Sequence, residues 1–139
     1  MAFTETTLRV EVVSADGMIW EGNALSVIAR TVEGDIGVMA NHEPMLAILE
    51  PSAAEVLSVD GVREVVAVDG GFLSVSDNRV ALLSSYAVMA AEISLPEAER
   101  ELADAVRKLE AGDVDTETQQ HHDRAKAQVR AAVRAAERH

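Results

Sequence analysis

The sequence predicts an all-β sandwich followed by a C-terminal α-helical hairpin, with the boundary falling between residues 1–91 and 92–139. Three observations carry this β + α reading. Short apolar segments in the first part are punctuated by turn residues at roughly 8–12-residue spacing, the rhythm of sandwiches and barrels. After residue 91 the apolar period changes to that of a helix. The charge changes there as well: residues 1–91 hold 4 basic and 13 acidic side chains, and residues 92–139 hold 8 and 11.

Leu8-Arg9-Val10-Glu11-Val12 alternates as a strand with one wet face does. Ala15-Asp16-Gly17 turns the chain, and Met18-Ile19-Trp20 resumes it. Residues 25–31 form a mostly apolar run that includes Val27 and Ile28. Residues 56–59, the turn Asp60-Gly61 and residues 62–68 read as a hairpin. Asp69-Gly70-Gly71 then punctuates the chain before residues 72–75, as Asp77-Asn78 does before residues 80–83. No helical pattern of 10–15 residues intervenes, so βαβ units are not expected.

Ser94-Leu95-Pro96-Glu97 has the form of a capping box, with proline in the tolerated first turn. Leu95, Ala98, Leu102, Ala105/Val106 and Leu109 follow on one helical face, and Gly112 supplies the stop. Thr116-x-x-Gln119 offers a second box, and Ala125, Val129, Ala132, Val133 and Ala136 mark a second stripe. Two helices joined by so short a link run antiparallel. Their seam is mostly alanine, which contributes far less than the roughly 1.5–3 kcal/mol of a buried Leu or Val. The hairpin is therefore expected to dock marginally on the sandwich, with a second arrangement within a few kcal/mol.

A length of 139 residues suits one domain, or one small domain with an appendage. Hydrophobic residues make up 48%, enough for a core, but aromatics only 3%, so Val, Leu, Ile and Ala must fill it. A net charge of −12 opposes a phosphate-binding surface, and base-stacking platforms lack their aromatics, so no nucleic-acid partner is expected. The absence of cysteine excludes disulfides and thiolate metal sites. Residues 1–5 have neither the basic nor the apolar region of a signal peptide. The longest apolar run, residues 86–91, falls far short of the roughly 20 needed to span a bilayer. A soluble protein is expected, associating with membrane only through partners.

Few residues suggest chemistry. His42-Glu43 resembles a base beside a carboxylate, but no nucleophile motif accompanies it and strand neighbours point to opposite faces. His42 is better read as a turn or interface histidine. His121-His122 lacks the i, i+4 spacing of a helical metal site and reads as solvent-exposed. No catalytic residue, cofactor or metal site is expected. Gly34-Asp35-Ile36-Gly37 brackets a tight connection that exposes Asp35, without the lysine, basic neighbour or following helix of a phosphate loop. Asn41-His42-Glu43-Pro44 forms a second corner, where Pro44 extends Glu43. Two corners with a short apolar segment between them suggest a shaped loop surface on a rigid scaffold. In the second helix Lys126, Arg130, Arg134 and Arg138 stand four apart on one ridge. That ridge is either a solvated face pairing with the acidic first helix or a basic finger for an acidic partner.

Residues 34–44, Gly34-Asp35-Ile36-Gly37-Val38-Met39-Ala40-Asn41-His42-Glu43-Pro44, resemble the Gly-x-x-Gly…His-x-Pro stretch of the epsilon subunits of bacterial F-type ATP synthases. Val68-Asp69-Gly70-Gly71-Phe72-Leu73-Ser74-Val75, with Asn78 and residues 80–83, is similar to that family's second signature. The likeness continues through the hairpin and its Gly-Asp-Val-Asp turn. It implies a non-catalytic central-stalk subunit, peripheral at the cytoplasmic face of the bacterial membrane. It also implies a sandwich bound to the gamma subunit and resting on the c-ring. The Gly34–Gly37 turn with Asp35 would then face the c-ring loops, with His42 and Pro44 in the rotor-contact region. The hairpin would reach along gamma to an acidic loop of the catalytic beta subunits and restrain ATP hydrolysis. Two departures stand out. Met39-Ala40 replaces a frequent Leu-Pro, and Ser94 and Glu97 replace the Asp and Arg of an ATP-binding motif, so no ATP site is expected there. The competing readings are a stand-alone β-sandwich binding module and a small hydrolase using His42 and Asp35.

Overall fold

Alternation in residues 8–14 turns Leu8, Val10 and Val12 inward and seeds the core of a seven-stranded β domain. The computed structural model describes residues 6–137. Its strands are β1 (Leu8–Ser14), β2 (Gly17–Thr31), β3 (Gly34–Met39), β4 (Met45–Ser58), β5 (Arg63–Ser76), β6 (Arg79–Leu83) and β7 (Ala87–Met89). A 3-10 turn, Ala90–Glu92, leads into α1 (Leu95–Glu110) and α2 (Thr116–Ala136). The strand order is β1-β6-β5-β4-β2, and β2 pairs back to β1, so these five close on themselves. β3 extends beside β2, and β7 beside β5. Every pairing is antiparallel except β1 with β6. Leu8, Leu73, Leu82 and nine valines form the fully buried centre, as the scarcity of aromatics required. β-branched side chains suit such pleated, close-packed positions.

Four local expectations are corrected. Residues 18–20 and 25–31 belong to one continuous strand, β2. Gly34-Asp35-Ile36-Gly37, expected as a tight connection, lies with the apolar residues after it in one strand, β3. The strand expected over residues 56–59 is only the end of β4, which begins at Met45 and stops at Ser58. Asp69-Gly70-Gly71 lies inside β5 rather than between strands.

The last two share a cause. Inward residues on β4 are Ala54 and Val56 on one side of Pro51 but Leu49 on the other, so the parity flips. On β5 it flips between Val68 and Leu73, beside Gly70 and Gly71 at φ +116° and +105°. Leu49 pairs with Gly71 and Pro51 with Asp69, so both strands bend at one corner. A Cβ on Gly71 would lie 2.0 Å from the Leu83 carbonyl oxygen, so this corner requires glycine.

Ser94 caps α1, its hydroxyl accepting from the Glu97 N–H at 3.5 Å. The cap of α2 is Asp115, one residue before the expected Thr116, and it accepts from the Thr118 N–H at 2.9 Å. Thr118 holds the Asp115 carboxyl below its usual 3.8, mainly through the backbone bond and then through its hydroxyl. Gly112 takes φ +95° at the turn. α1 packs on α2, and α2 lies on the outer face of β4 and β5. No helix among the described residues is long and apolar enough to cross a membrane.

Candidate functional site

The Asn41–Pro44 corner follows one end of β3 and the β2–β3 turn precedes the other, roughly 17 Å of strand away. At one end Val32-Glu33 form the β2–β3 turn and Gly34 follows at φ +120°. The Thr31 hydroxyl donates to the Gly34 carbonyl at 2.8 Å and accepts from the Glu33 N–H at 3.1 Å. Asp35 is exposed and paired with Arg30 at 3.2 Å; Arg30 also approaches Glu50 at 3.7 Å. Gly37 sits opposite Ile28 in the ladder, with open space where a side chain would be.

At the other end Asn41 takes φ +69°, and the half-buried His42 hydrogen-bonds the Glu43 carbonyl through Nδ1 at 2.7 Å. Pro44 is exposed and leads into β4. Asn78, from the β5–β6 turn, accepts from the Asn41 N–H at 2.6 Å. Its own backbone is left-handed at φ +62°, and its carbonyl accepts from the Arg9 N–H. The two motifs thus meet through Asn41 and Asn78. His42 and Asp35 do not converge, which removes the geometric basis of the hydrolase alternative.

The basic ridge is divided. Arg134 ion-pairs with Glu55 of β4, whose second oxygen accepts from Arg63 at 2.8 Å. Lys126 and Arg130 make no ion pair among the described residues, and Arg138 lies outside them. The alternative in which the ridge pairs with α1 is therefore corrected for the described members: Arg134 turns to the sheet instead. Arg130 and Arg134 also line a groove of about 470 Å³ with Asp35, Ile28 and Val133. The histidines differ from expectation too. His121 is half-buried and donates from Nε2 to Glu101 of α1 at 2.6 Å, while His122 approaches Asp123 at 3.3 Å.

The α2 contact face was missed. Ala127 and Ala131 are fully buried against Val65, Ala67 and Ala90, with Ala135 beside them; Val133 and Ala136 are exposed. Arg124 binds the buried Asp69 at 3.0 Å and lies 4.9 Å over the Tyr86 ring. Asp69 also accepts from Ser84 at 3.0 Å and Ser85 at 3.2 Å. Gln128 donates to the Tyr86 hydroxyl.

Beyond the β4–β5 corner no other described element covers the outer surface. There Ile48 pairs with Phe72, Phe72 with Leu83, Leu83 with Val13 and Val13 with Met18. This row crosses five strands, and Ile48, Phe72, Leu83 and Met18 are 54%, 47%, 42% and 49% exposed. Leu46, two residues from Ile48 on the same face, is 71% exposed. A continuous apolar row on a 14.9 kDa acidic chain marks an interaction surface. No sequence signal identified it, because its members come from five separate segments joined only by sheet pairing.

Residues 7–90 match the family model for the ATP synthase Delta/Epsilon chain, beta-sandwich domain. An ATP synthase epsilon chain of Cutibacterium acnes is 46% identical over 102 residues, covering 73% of this chain and 69% of that one. One from Streptomyces griseus is 41% identical over 116 residues, covering 84% and 90%. Among solved structures, a chain of the Euglena gracilis mitochondrial ATP synthase superposes with a TM-score of 0.73 at 24% identity, covering 97% of this chain and 84% of that one. That last likeness is one of fold.

Proposed function

The chain belongs to the ATP synthase delta/epsilon chain family and is a subunit of an ATP synthase; from that premise we propose that it works in the central rotor stalk. Its β domain joins the gamma subunit to the c-ring during ion-driven ATP synthesis, and its hairpin restrains ATP hydrolysis. The chain is non-catalytic and peripheral, at the cytoplasmic face of the bacterial membrane.

The observation that carries this reading is the bare apolar row Met18–Val13–Leu83–Phe72–Ile48. The hairpin covers the neighbouring outer face of β4 and β5 but leaves this one open. A row of this kind needs a permanent apolar partner, and gamma fits that role. The exposed Asp35, with Gly34 and Gly37 at the start of β3 beside the Val32-Glu33 turn, presents backbone and one carboxylate, chemistry suited to the polar loops of the c-ring. His42 and Pro44, in the corner that Asn78 anchors through the Asn41 N–H, complete the rotor-contact rim. Lys126, Arg130, Arg134 and Arg138 are the cations that would meet an acidic loop of the catalytic beta subunits.

The test is co-purification with gamma. Phe72→Asp should abolish it, because an aspartate between Leu83 and Ile48 in the row becomes a buried unpaired charge. Asp35→Ala should retain gamma and weaken attachment to the c-ring. Undiminished gamma binding by Phe72→Asp refutes the assignment of the row. A stand-alone binding module would co-purify with no ATPase subunit at all.

A further inference from the structure

Two arginine–carboxylate contacts hold α2 on the β domain, one at each end of an alanine seam. We infer that they form a releasable latch: Glu55 and Asp69 keep the hairpin docked, and Glu55 occupies the guanidinium of Arg134 that an acidic partner would otherwise bind. The second half of this inference rests on the regulatory reading of the hairpin.

The seam is weak by composition. Ala127, Ala131 and Ala135 meet Val65, Ala67, Ala53 and Ala90, so α2 contributes only methyl groups to the apolar contact. The polar contacts are strong by geometry. Glu55 and Asp69 have side chains only 6% and 7% exposed, and each receives one arginine from α2, Arg134 and Arg124. Stacking of Arg124 over Tyr86 and the Gln128–Tyr86 hydrogen bond reinforce one end.

These contacts are also built to be undone. Stranding a buried carboxylate is strongly unfavourable, yet neither carboxylate depends on α2 alone. Glu55 keeps Arg63 at 2.8 Å, and Asp69 keeps the hydroxyls of Ser84 and Ser85 at 3.0 and 3.2 Å. The departing arginines, 39% and 46% exposed, return readily to water. α1 rides on α2 through their shared face and the His121–Glu101 bond, so the hairpin leaves as a unit. Meanwhile Lys126 and Arg130, on the same ridge as Arg134, are unpaired among the described residues. Docking on Glu55 and docking on an acidic partner therefore compete for one side chain.

The experiment is amide hydrogen exchange on the full chain, paired with ATP hydrolysis by the synthase complex carrying each variant. Glu55→Gln with Asp69→Asn should speed exchange in the sheet-facing turns of α2 roughly tenfold or more, with the strands unchanged. Arg124→Gln with Arg134→Gln, which alters only the helix, should do the same and guards against a folding defect in the carboxylate variant. In the complex the two sides of the latch should act oppositely. Glu55→Gln deepens inhibition by freeing Arg134, while Arg134→Gln relieves it. Unchanged α2 protection in both double variants overturns the latch. Faster exchange with hydrolysis unmoved by either single variant upholds the latch and overturns the regulatory reading on which the competition rests.

Discussion

Replacing Gly71 with alanine should damage the β domain far more than any comparable glycine substitution. Two costs meet at this position. Its φ of +105° puts an L residue in a region that costs about 1–2 kcal/mol. The added Cβ would also lie 2.0 Å from the Leu83 oxygen and 2.9 Å from the Leu83 carbonyl carbon and the Ser84 Cα. All three are backbone atoms, so β5 and β6 must separate beside the Phe72–Leu83 pair. Loss of ladder hydrogen bonds at about 1 kcal/mol each brings the total to about 3 kcal/mol or more. That is a large share of the roughly 5–15 kcal/mol of an ordinary domain, and a fall in melting temperature of roughly 10 °C. Two controls separate the terms. Gly17 has φ +117° but open space, so Gly17→Ala should cost only the conformational part, about 1–2 kcal/mol. Gly37 has neither constraint, and Gly37→Ala should stay within about 0.5 kcal/mol. Urea unfolding of the three full-length variants measures all of this. A Gly71→Ala loss equal to that of Gly17→Ala would refute the close-approach argument.

Other consequences follow from single contacts. Asn78→Ala removes the acceptor of the Asn41 N–H and places alanine at φ +62°, so stability should fall by about 2 kcal/mol. Amide signals of residues 41–43 should broaden in the same variant, and their remaining sharp would show that the corner holds itself. The Asp115 carboxyl is lowered in the folded chain, so its capping contribution is present above the ordinary value of 3.8 and is lost as pH falls through the lowered value. Exchange at the first turn of α2 should speed up over that acidic interval in the natural chain, and Asp115→Asn should remove the dependence. The groove between Tyr86 and the helices is lined by Glu97, Glu101 and Glu117, with Arg124 already committed to Asp69. Calorimetry should find no saturable micromolar ATP binding, and such binding would contradict the electrostatic reading of this groove.

What the sequence disclosed tracks how local each signal is. β1 and the Ser94 cap of α1 were readable because alternation and the capping box are neighbour effects. The first half of β4 was not, because the inward face changes parity at Pro51 and the simple period breaks. Gly70 and Gly71 looked like a turn because their backbone freedom is that of a turn; here it serves a bend and a close crossing inside one strand. The sheet-facing alanines of α2 were hidden among Lys126, Arg130 and the other charged residues, since a methyl group gives little hydrophobic contrast. The ridge was visible from spacing, but the attachment of Arg134 to Glu55 depends on tertiary contact across 79 residues. The apolar row is the extreme case, existing only once five strands are in register.

The most direct test of the rotor assignment is ATP hydrolysis and ATP-driven ion pumping by a synthase complex depleted of this chain and then resupplied. Full-length chain should restore pumping and restrain hydrolysis. A truncation ending at Ala91 should bind and restore pumping but leave hydrolysis fast, and Phe72→Asp should do neither. Failure of the full-length chain to bind the depleted complex, or equal inhibition by the truncation, would contradict the account.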